Sequence, residues 1–497
     1  MKLKVKDMDI SSGGPLIAII NEKDAKDMDL HFGDRIKIKK KGKIETVLLD
    51  IGKSKKSAGL GKIGLNEEVL VSLRLKHNDT VSITPARKPL SIDYIKRKMD
   101  GFKLTKKEID QIVWDIVHNK LSQVELTYFV SACYFNELDL EETTLLTKAM
   151  TLQGDILKPN RYPVLDKHCV GGVAGNRTTM IIVPILAALG IVIPKTSSRS
   201  ITSPAGTGDT MEVLSNVCVP IKRMEHIIKK TNGCIIWGGS LNLAPADDKI
   251  ISVERPLAID AKSQLLASVM AKKASVSSTH ILVDIPSGEG SKIPSKKKAL
   301  QLKKDFENLA KRIGVKVKVI ITDGREPIGN GIGPALEARD VLWILKNDER
   351  GPLDLKRKSL VMSGLMIEMA GKAKKGNGIK LAREILNEGR AYNKMISIIN
   401  VQGKKITDPD KIIVGKVSHD IKSKKNGTIK KISNSAISKI ARVSGAPHDQ
   451  GAGVYLYKHV NDKVKKGESI FRIYCHNKDR LDYTRRIMKG LDVFVIK

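Results

Sequence analysis

The run DKHCVGGVAGNRTTMIIVPILAALGIVIPKTSS, residues 166–198, decides the fold that this sequence predicts. A glycine-rich turn leads into the apolar stretch TTMIIVPILAALG, which is helical in character, and the apolar strand IVIP follows directly. A turn, a helix and a strand in this order are typical of an α/β unit. The centre of the chain is therefore predicted to be an α/β domain.

The alternation of helix and strand continues beyond this run. SQLLASVMAKKAS and ALEARDVLWILK have helical spacing, whereas THILVDIPSG and KVKVIITDG have the character of strands. Such alternation predicts a mainly parallel sheet that is covered by helices. We assign this α/β domain, expected to bind phosphate and nucleotide, to residues 164–340, with helices returning over residues 341–409.

The first and last parts of the chain predict β structure of another kind. The runs LKVKDMDI, LIAIINE, DRIKIKK, ETVLLDI, EEVLVSLRL and DTVSITP alternate apolar and polar residues between turn signals. They predict a small N-terminal β-barrel or sandwich over residues 1–86. Short β runs such as GTIKKI and ESIFRIY predict a small α+β domain over residues 410–497.

Residues 87–163 predict a helical domain, because apolar residues recur there at helical spacing. Glu108 and Glu125 each follow a candidate N-cap, Thr105 and Ser122, by three residues. This is the spacing of a capping box, which marks the start of a helix.

The composition indicates packed cores in several domains. The 497 residues are too many for one hydrophobic core, and 41% of them are hydrophobic. The five cysteines form no CxxC pair, so we expect neither a disulfide framework nor a zinc site. No run resembles a signal peptide or a membrane span. We expect a cytoplasmic protein without a metal or another cofactor.

The net charge of +34 has two interpretations. Lysines and arginines could bind nucleic acid, or they could form a solvated surface. They are spread along the chain, without an Arg-rich arm or interleaved aromatic residues, which favours the second interpretation. A basic nucleic-acid-binding protein is the non-enzymatic alternative. In either case the positive field would attract anionic substrates.

Two segments have the composition of anion-binding loops. The first loop, residues 166–179, combines glycines with Lys167 and with threonines that precede a helix. The second loop, SSRSITSPAGTGDT at residues 197–210, combines many hydroxyls with one Arg and two glycines after an apolar strand. The alternatives are a tight strand-to-helix turn for the first loop and a solvated Ser/Thr-rich segment for the second.

A third segment carries a carboxylate before a helix. Asp260 precedes the apolar helix on which Ser268 and Lys272 lie four residues apart and share a face. The residues alone leave two roles open for Asp260, which could be an N-cap or a catalytic acid.

These motifs resemble those of the thymidine and pyrimidine-nucleoside phosphorylase family. DKH…GGV with SSRSITSPAGTGDTMEVL is similar to the family's Ser-x-Arg…Gly-Thr-x-Asp-x-x-Glu signature, and LLASVMAKKAS to its Ser-x-x-x-Lys helix. REPIGNGIGPALEARD is similar to a further family loop. The resemblance covers about residues 90–497. It implies a helical domain hinged to an α/β domain, an active site in the cleft between them, and a homodimer or larger homo-oligomer.

Other features resemble an archaeal branch of this family that acts on nucleoside 5′-monophosphates. They are GGV-x-GN-[KR]-TTM, NLAPADD and the additional N-terminal domain. The resemblance implies phosphorolysis of AMP, and also of CMP and UMP, to the free base and ribose 1,5-bisphosphate in nucleotide salvage or degradation. The enzymatic alternative is a phosphorylase of thymidine or uridine.

The resemblance also implies roles for individual residues. Asp260 would be the proton donor to the leaving base. Contacts to the substrate would come from Gly172, Ser198, Arg199, Ser200, Ile201, Thr202, Ser203, Thr207, Ser268 and Lys292. Contacts to inorganic phosphate would come from Lys167, Thr179 and Ser197.

Two positions depart from the pattern of the pyrimidine enzymes. Cys169 stands where they have Ser, and a thiol is a weak hydrogen-bond donor. Lys292 is charged in a loop that is apolar in those enzymes. An ammonium group there suits a 5′-phosphate better than a 5′-hydroxyl.

Overall fold

The computed structural model describes residues 1–200, 203–257, 259 and 261–497. The chain divides into two compact units, and each is continuous in space but not in sequence. The first unit consists of Met1–Gln153 and Ala244–Ser268. The second unit consists of Gly154–Leu243 and Val269–Lys497.

The first unit begins with six strands that form a closed barrel. They are β1 (Lys2–Asp7), β2 (Ile17–Asn21), β3 (Arg35–Lys40), β4 (Lys43–Gly52), β5 (Lys62–Leu65) and β6 (Thr80–Ala86). Neighbouring strands follow the order β1-β5-β2-β4-β3-β6, and β6 pairs with β1 to close the barrel. Alternate apolar residues of these strands fill its interior.

One of the predicted strands is wrong. The run EEVLVSLRL forms α2 (Glu67–Leu73), and a short helix α1 (Glu22–Lys26) lies earlier in the chain. Val69 and Leu73 are buried whereas Val71 is 68% exposed, so the buried face follows a helical period and not the period of two of a strand. The strand β5 was not predicted from the sequence.

The helical part of the first unit contains α3 (Ser91–Met99), α4 (Lys106–Val117), α5 (Gln123–Phe135), α6 (Leu140–Leu152) and α10 (Pro245–Leu257). The two predicted capping boxes, at the starts of α4 and α5, are confirmed. A third one, between Asp139 and Glu142, starts α6. The contribution of α10 from a distant part of the sequence was not predicted.

A buried ion pair joins α3 to α6. Lys98 Nζ lies 2.9 Å from Oε1 and 3.0 Å from Oε2 of Glu142. The same carboxylate accepts from the backbone N–H groups of Leu104 and Asp139, at 2.9 and 3.0 Å. Both side chains are almost fully buried, so each charge depends on the other.

The second unit is built on parallel strands. They are β7 (Leu165–Cys169), β8 (Ile193–Ser197), β9 (Gly233–Trp237), β10 (His280–Ser287) and β11 (Lys316–Asp323). β10 pairs in parallel with β7 and β11, and β8 pairs in parallel with β9. A parallel bridge between Val164 and Val192 connects the two groups of strands. The predicted mainly parallel sheet is confirmed.

Helices cover these strands. They are α7 (Thr178–Ala188), α8 (Thr207–Leu214), α9 (Ile221–Thr231), α11 (Lys262–Ser275), α12 (Lys296–Ile313), α13 (Pro334–Lys346), α14 (Leu353–Met369), α15 (Gly378–Asn387) and α16 (Arg390–Gly403). α11 begins in the first unit and ends in the second. α7 is buried along almost its whole length, which explains why its sequence is apolar on every face.

The last part of the chain adds antiparallel strands and two helices. They are β12 (Gly331–Ile332), β13 (Val417–Lys422), β14 (Gly427–Ile432), β15 (Gly453–Leu456), β16 (Lys463–Val464), β17 (Ser469–Cys475), β18 (Phe494–Ile496), α17 (Asn434–Ser444) and α18 (Lys478–Met488). One sheet has the order β12-β15-β17-β13, so a strand from the α/β part completes it. No helix in the described part of the chain is long and apolar enough to span a membrane.

Replacement of the buried Glu142 tests the ion pair between α3 and α6. In Glu142→Ala the Lys98 ammonium stays buried without its carboxylate, and we expect a loss of about 3–5 kcal/mol in the free energy of unfolding. Urea unfolding followed by circular dichroism measures this loss. The matched control is Asp110→Ala, which breaks an exposed pair with Lys106 and should change the midpoint little. Equal effects of the two substitutions would contradict the assignment.

Candidate functional site

Three loops follow the carboxyl ends of parallel strands in the second unit. The first loop connects β7, which ends at Cys169, to α7, which begins at Thr178. The second loop connects β8, which ends at Ser197, to α8, which begins at Thr207. The third loop, residues 288–295, connects β10 to α12. Ligands of open α/β sheets collect at this edge, so these loops form the candidate site.

The first and third loops touch at Gly172. Its φ is +91°, and a Cβ added there would lie 2.2 Å from the backbone nitrogen of Lys292. Any side chain at this position would therefore push the third loop away. Gly172 and Lys292, which were predicted separately as substrate contacts, are thus neighbours, and the Lys292 side chain is exposed.

Lys167 is buried in the middle of β7, and its ammonium group contacts the start of α7. Its Nζ donates to the hydroxyl oxygen of Thr178 at 2.9 Å, and that hydroxyl donates to Asn176 Oδ1 at 3.2 Å. Burial lowers the pKa of Lys167, although the nearby Asp284 acts in the opposite direction. Thr179, the next residue of α7, is 5% exposed.

The thiol of Cys169 is held in its neutral form. Burial raises its pKa, and the nearby Asp284 acts in the same direction. Asn176 Nδ2 donates to the sulfur at 3.3 Å. His168 is also neutral, because burial and the surrounding lysines, led by Lys273 and Lys195, hold its pKa well below the usual value. Neither side chain therefore contributes a charge at neutral pH.

A cluster of charged side chains lies beneath the first loop. Asp166 is fully buried, and its carboxylate oxygens lie 3.3 Å from Lys195 Nζ and 2.7 Å from Lys273 Nζ. Burial lowers the pKa of Lys195 to about 7, against the attraction of Asp166. Two lysines therefore share one carboxylate. Lys195 was not predicted as a site residue, although a lysine directly after the apolar run IVIP was a signal.

A second buried carboxylate lies on the neighbouring strand. Asp284 of β10 accepts from the hydroxyl of Thr322 at 2.6 Å and lies 3.2 Å from Lys358 Nζ. Burial alone would raise the pKa of Asp284, but Lys358 and Lys167 outweigh this effect and lower it. Both carboxylates beneath the loops are thus surrounded by ammonium groups.

The second loop is folded around Asp209 of α8. One carboxylate oxygen, Oδ2, accepts from the N–H groups of Ser200 at 2.6 Å and Gly206 at 2.8 Å. The N–H of Gly208 donates to the carbonyl of Ser198 at 3.2 Å. A Cβ on Gly206 would lie 2.5 Å from that carbonyl oxygen, so the loop requires glycine there.

Arg199 is engaged by its own chain. Its two terminal nitrogens donate to the two carboxylate oxygens of Glu212 at 2.5 and 2.8 Å, and its guanidinium lies 4.8 Å from the centre of the Trp237 ring. Hydrogen bonding to Glu212 raises the pKa of Arg199, and the pKa of Glu212 is lowered in return. An anion at this position would share Arg199 with Glu212.

The remaining predicted residues differ in their surroundings. Ser197 donates to the carbonyl of Ile236 at 3.3 Å, and Ser203 to that of Ala205 at 2.5 Å. Ser198 is exposed, whereas Thr207 is half-buried at the first position of α8.

Four predicted residues take no part in the contacts described above. Ser268 is half-buried on the part of α11 that belongs to the first unit. Ile201, Thr202 and the predicted proton donor Asp260 lie outside the described residues. Their assigned roles stay predictions.

A buried ion pair between the first loop and α13 was not predicted from the sequence either. Arg177 Nε donates to a carboxylate oxygen of Glu337, and the hydroxyl of Thr210 donates to the same oxygen at 2.9 Å. The signal was one charged residue in each of two motifs. Arg177 follows the glycines of the first loop, and Glu337 lies in the apolar start of α13. Within the described part of the chain, no group of three or more His, Cys, Asp or Glu side chains is placed to hold a metal ion.

Solved structures share the fold of more than half of the chain. Anthranilate phosphoribosyltransferase from Thermus thermophilus matches with a TM-score of 0.53 and 19% sequence identity. The match covers 62% of this chain and 99% of that one. The enzyme of the same name from Saccharomyces cerevisiae matches with a TM-score of 0.51 and 14% identity, over 63% of this chain and 98% of that one.

Three family descriptions match successive parts of the chain. Residues 92–154 match the helical bundle domain of a glycosyl transferase family, and residues 161–392 match the a/b domain of a glycosyl transferase family. Residues 428–490 match the pyrimidine nucleoside phosphorylase C-terminal domain. The predicted relation to phosphorylases is thereby confirmed.

Relatives of similar length give a narrower assignment. AMP phosphorylase from Pyrococcus furiosus is 45% identical, over 100% of this chain and 98% of that protein. AMP phosphorylase from Methanocaldococcus jannaschii is 42% identical, over 97% of this chain and 94% of that protein. A putative thymidine phosphorylase from Albidiferax ferrireducens is 41% identical, over 91% and 87%. With this identity over its whole length, the chain belongs to the AMP phosphorylase family of glycosyl transferases.

Proposed function

We propose that this enzyme catalyses the phosphorolysis of AMP, and also of CMP and UMP. The ribose 5-phosphate unit passes from the base to inorganic phosphate, which gives the free base and ribose 1,5-bisphosphate. The observation that carries the proposal is the contact of Lys292 with Gly172 in the first loop, which directly follows the strand that carries Lys167. Lys292 is exposed and Lys167 is buried. Two lysines at neighbouring positions suit the binding of two anions.

The charge beneath the loops supports an anion site. Lys167, Lys195 and Lys273 are buried, and the ammonium nitrogen of Lys358 is shielded from solvent as well. Among the described residues of this cluster, the opposing carboxylates are those of Asp166 and Asp284. Buried charge of one sign is costly unless it is matched, and a bound phosphate supplies the missing negative charge.

In the proposed reaction, a phosphate oxygen forms a bond to C1′ of the ribose while the bond from C1′ to the base breaks. The transition state carries positive charge on the sugar, so catalysis depends on positioning and on charge stabilisation. We assign the attacking phosphate to Lys167, Thr179, Ser197 and Thr207, and the 5′-phosphate to Lys292 with the segment from Arg199 to Ser203.

Asp260 is proposed to protonate the leaving base, at N7 for adenine. This role rests on the resemblance of its segment to the phosphorylases. A free Asp has a pKa of about 3.9, so burial has to raise the pKa of Asp260 before it can donate a proton near neutrality. We propose that the reaction uses inorganic phosphate as a co-substrate and no cofactor. Ser268 is proposed as a further substrate contact.

The enzyme is proposed to form homodimers, or larger homo-oligomers, in the cytoplasm. Apolar side chains on the helical part support self-association. Val124 is 79% exposed, Phe135 72% and Leu152 70%. Exposed apolar side chains that form a contiguous patch commonly mark a protein interface.

The choice of substrate tests the proposal directly. We expect release of adenine from AMP in the presence of phosphate, with ribose 1,5-bisphosphate as the second product, and little release of base from uridine. Lys292→Ala should raise the KM for AMP at least tenfold and leave the KM for adenosine almost unchanged, because only AMP carries the 5′-phosphate. Chromatography of the released base identifies the substrate and, at varied substrate concentration, gives both KM values.

The control for this substitution is Lys297→Ala, which removes an exposed lysine from α12 nearby. It should leave both KM values unchanged. Efficient phosphorolysis of uridine without that of AMP would contradict the proposed substrate, and equal effects of Lys292→Ala on AMP and adenosine would contradict the role of Lys292.

Substitution of the proposed acid should affect turnover more than binding. In Asp260→Asn the amide cannot donate the proton that the leaving base requires, and we expect kcat to fall by about 10²–10⁴-fold with little change in KM. Steady-state kinetics with AMP and phosphate measure both constants. A fully active Asp260→Asn enzyme would remove Asp260 from the mechanism.

The pH dependence of anion binding tests the lysine cluster. Lys195, with a pKa of about 7, loses its proton as the pH rises from 6 to 8, so anion affinity should weaken over this range. Sulfate is a suitable competitor of phosphate because it does not itself titrate there. Lys195→Met should weaken sulfate inhibition at pH 6 by about tenfold and flatten its pH dependence. Identical pH profiles for both enzymes would contradict this role.

A further inference from the structure

The segment REPIGNGIGPALEARD, residues 325–340, is the fourth motif. It packs against the first loop. The N–H of Ile328 donates to the carbonyl of Ala174 at 3.0 Å. Gly175, with φ of +74°, lies so close that a Cβ on it would be 2.2 Å from the carbonyl oxygen of Ile328. The glycine-rich part of the first loop therefore rests directly on this motif.

The fourth motif also holds Arg177 of the first loop through Glu337. Both side chains are buried, with exposures of 6% and 1%. One carboxylate oxygen of Glu337 accepts from Arg177 Nε, and the other accepts from the N–H of Gly333 at 3.2 Å. Although burial raises the pKa of Glu337, the charge of Arg177 opposes that effect.

Arg177 reaches from this carboxylate to the second loop. Its Nε lies 3.1 Å from the hydroxyl oxygen of Thr210, and a terminal nitrogen donates to the carbonyl of Ala205. The other terminal nitrogen donates to the carbonyl of Asn176 in the first loop at 3.1 Å. One guanidinium thus connects the first loop, the second loop and α13.

We propose that Arg177 and Glu337 are positioning residues that set the distance between the first and second loops, and so set the affinity for inorganic phosphate without contacting it. This inference rests on the proposed function, because it assigns the gap between these loops to phosphate.

The positions of the contacts explain why this distance matters. Arg177 directly precedes Thr178 and Thr179 at the start of α7, while Ala205 and Thr210 flank Thr207 at the start of α8. Donors from both helix starts have to lie about 2.7–3.0 Å from the same phosphate oxygens. A displacement of about 1 Å between the loops would break one set of these bonds and cost up to about 10²-fold.

A purely stabilising role predicts a different result. A buried ion pair is weak evidence for stability, since apolar side chains of similar volume often replace one without loss. If Arg177 and Glu337 only stabilise the fold, their replacement lowers the thermal midpoint and affects both substrates alike. If they position the loops, replacement raises the KM for phosphate more than that for AMP.

The test compares Arg177→Met, Arg177→Lys and Glu337→Gln by steady-state kinetics and by thermal unfolding. We expect Arg177→Met to raise the KM for phosphate at least tenfold relative to the KM for AMP. Lys keeps the charge next to Glu337 but has fewer donors, so Arg177→Lys should recover part of the loss. Glu337→Gln is isosteric and should give an intermediate effect. If Arg177→Met does not fold, the other two variants decide.

The matched control is Glu142→Gln, which alters the buried ion pair with Lys98 in the first unit. It should lower the thermal midpoint and leave the ratio of the two KM values unchanged. The inference is overturned if the Arg177 and Glu337 variants also leave this ratio unchanged, or if Arg177→Lys behaves like Arg177→Met.

Sulfate binding separates this inference from the proposed function. Its dissociation constant, measured by titration calorimetry, requires no turnover of AMP. A tenfold weaker binding in Arg177→Met supports the positioning role even if AMP proves not to be the substrate. Unchanged sulfate binding in all three variants rejects the positioning role even if AMP phosphorolysis is observed.

Discussion

The main constraint on the candidate site in the second unit is the positive charge that is buried beneath its loops. Three lysines are buried beneath the loops: Lys167, Lys195 and Lys273. A fourth lysine, Lys292, lies exposed on the third loop. The carboxylates of Asp166 and Asp284 reduce the free-energy cost of burying these charges, because each lies close to an ammonium group. The remaining positive charge favours a negatively charged ligand at the ends of the strands. The same charge makes the site sensitive to pH, because Lys195 is only weakly held in its protonated form.

Close backbone contacts give the loops above this cluster their shape. Gly172 lies against the third loop, Gly175 against the fourth motif and Gly206 against the start of the second loop. At each position a Cβ would overlap a backbone atom, so the glycines serve to bring loops together as well as to expose backbone N–H groups to an anion. The Arg177 side chain also contacts two of these loops, through the carbonyl groups of Asn176 and Ala205. The loops are thus joined to one another by direct contacts.

Much of this could be predicted from the sequence because it depends on local patterns. The apolar run of α7 and the short strands after it indicated a parallel sheet, and the capping boxes of α4 and α5 follow from residues three positions apart. What depends on contacts between distant residues could not be predicted. The strand β12 pairs with β15 more than a hundred positions later, and Arg177 meets Glu337 across a similar separation. The run that became α2 was misread because seven residues are too few to distinguish two periods reliably.

The central claim is that two phosphate groups bind side by side at these loops. A crystal structure with ribose 1,5-bisphosphate bound tests it most directly. The account predicts that the 1-phosphate lies within hydrogen-bond distance of Lys167 and the start of α8, and that the 5-phosphate contacts Lys292. A ligand bound elsewhere, or one with both phosphates distant from the first loop, would contradict the account.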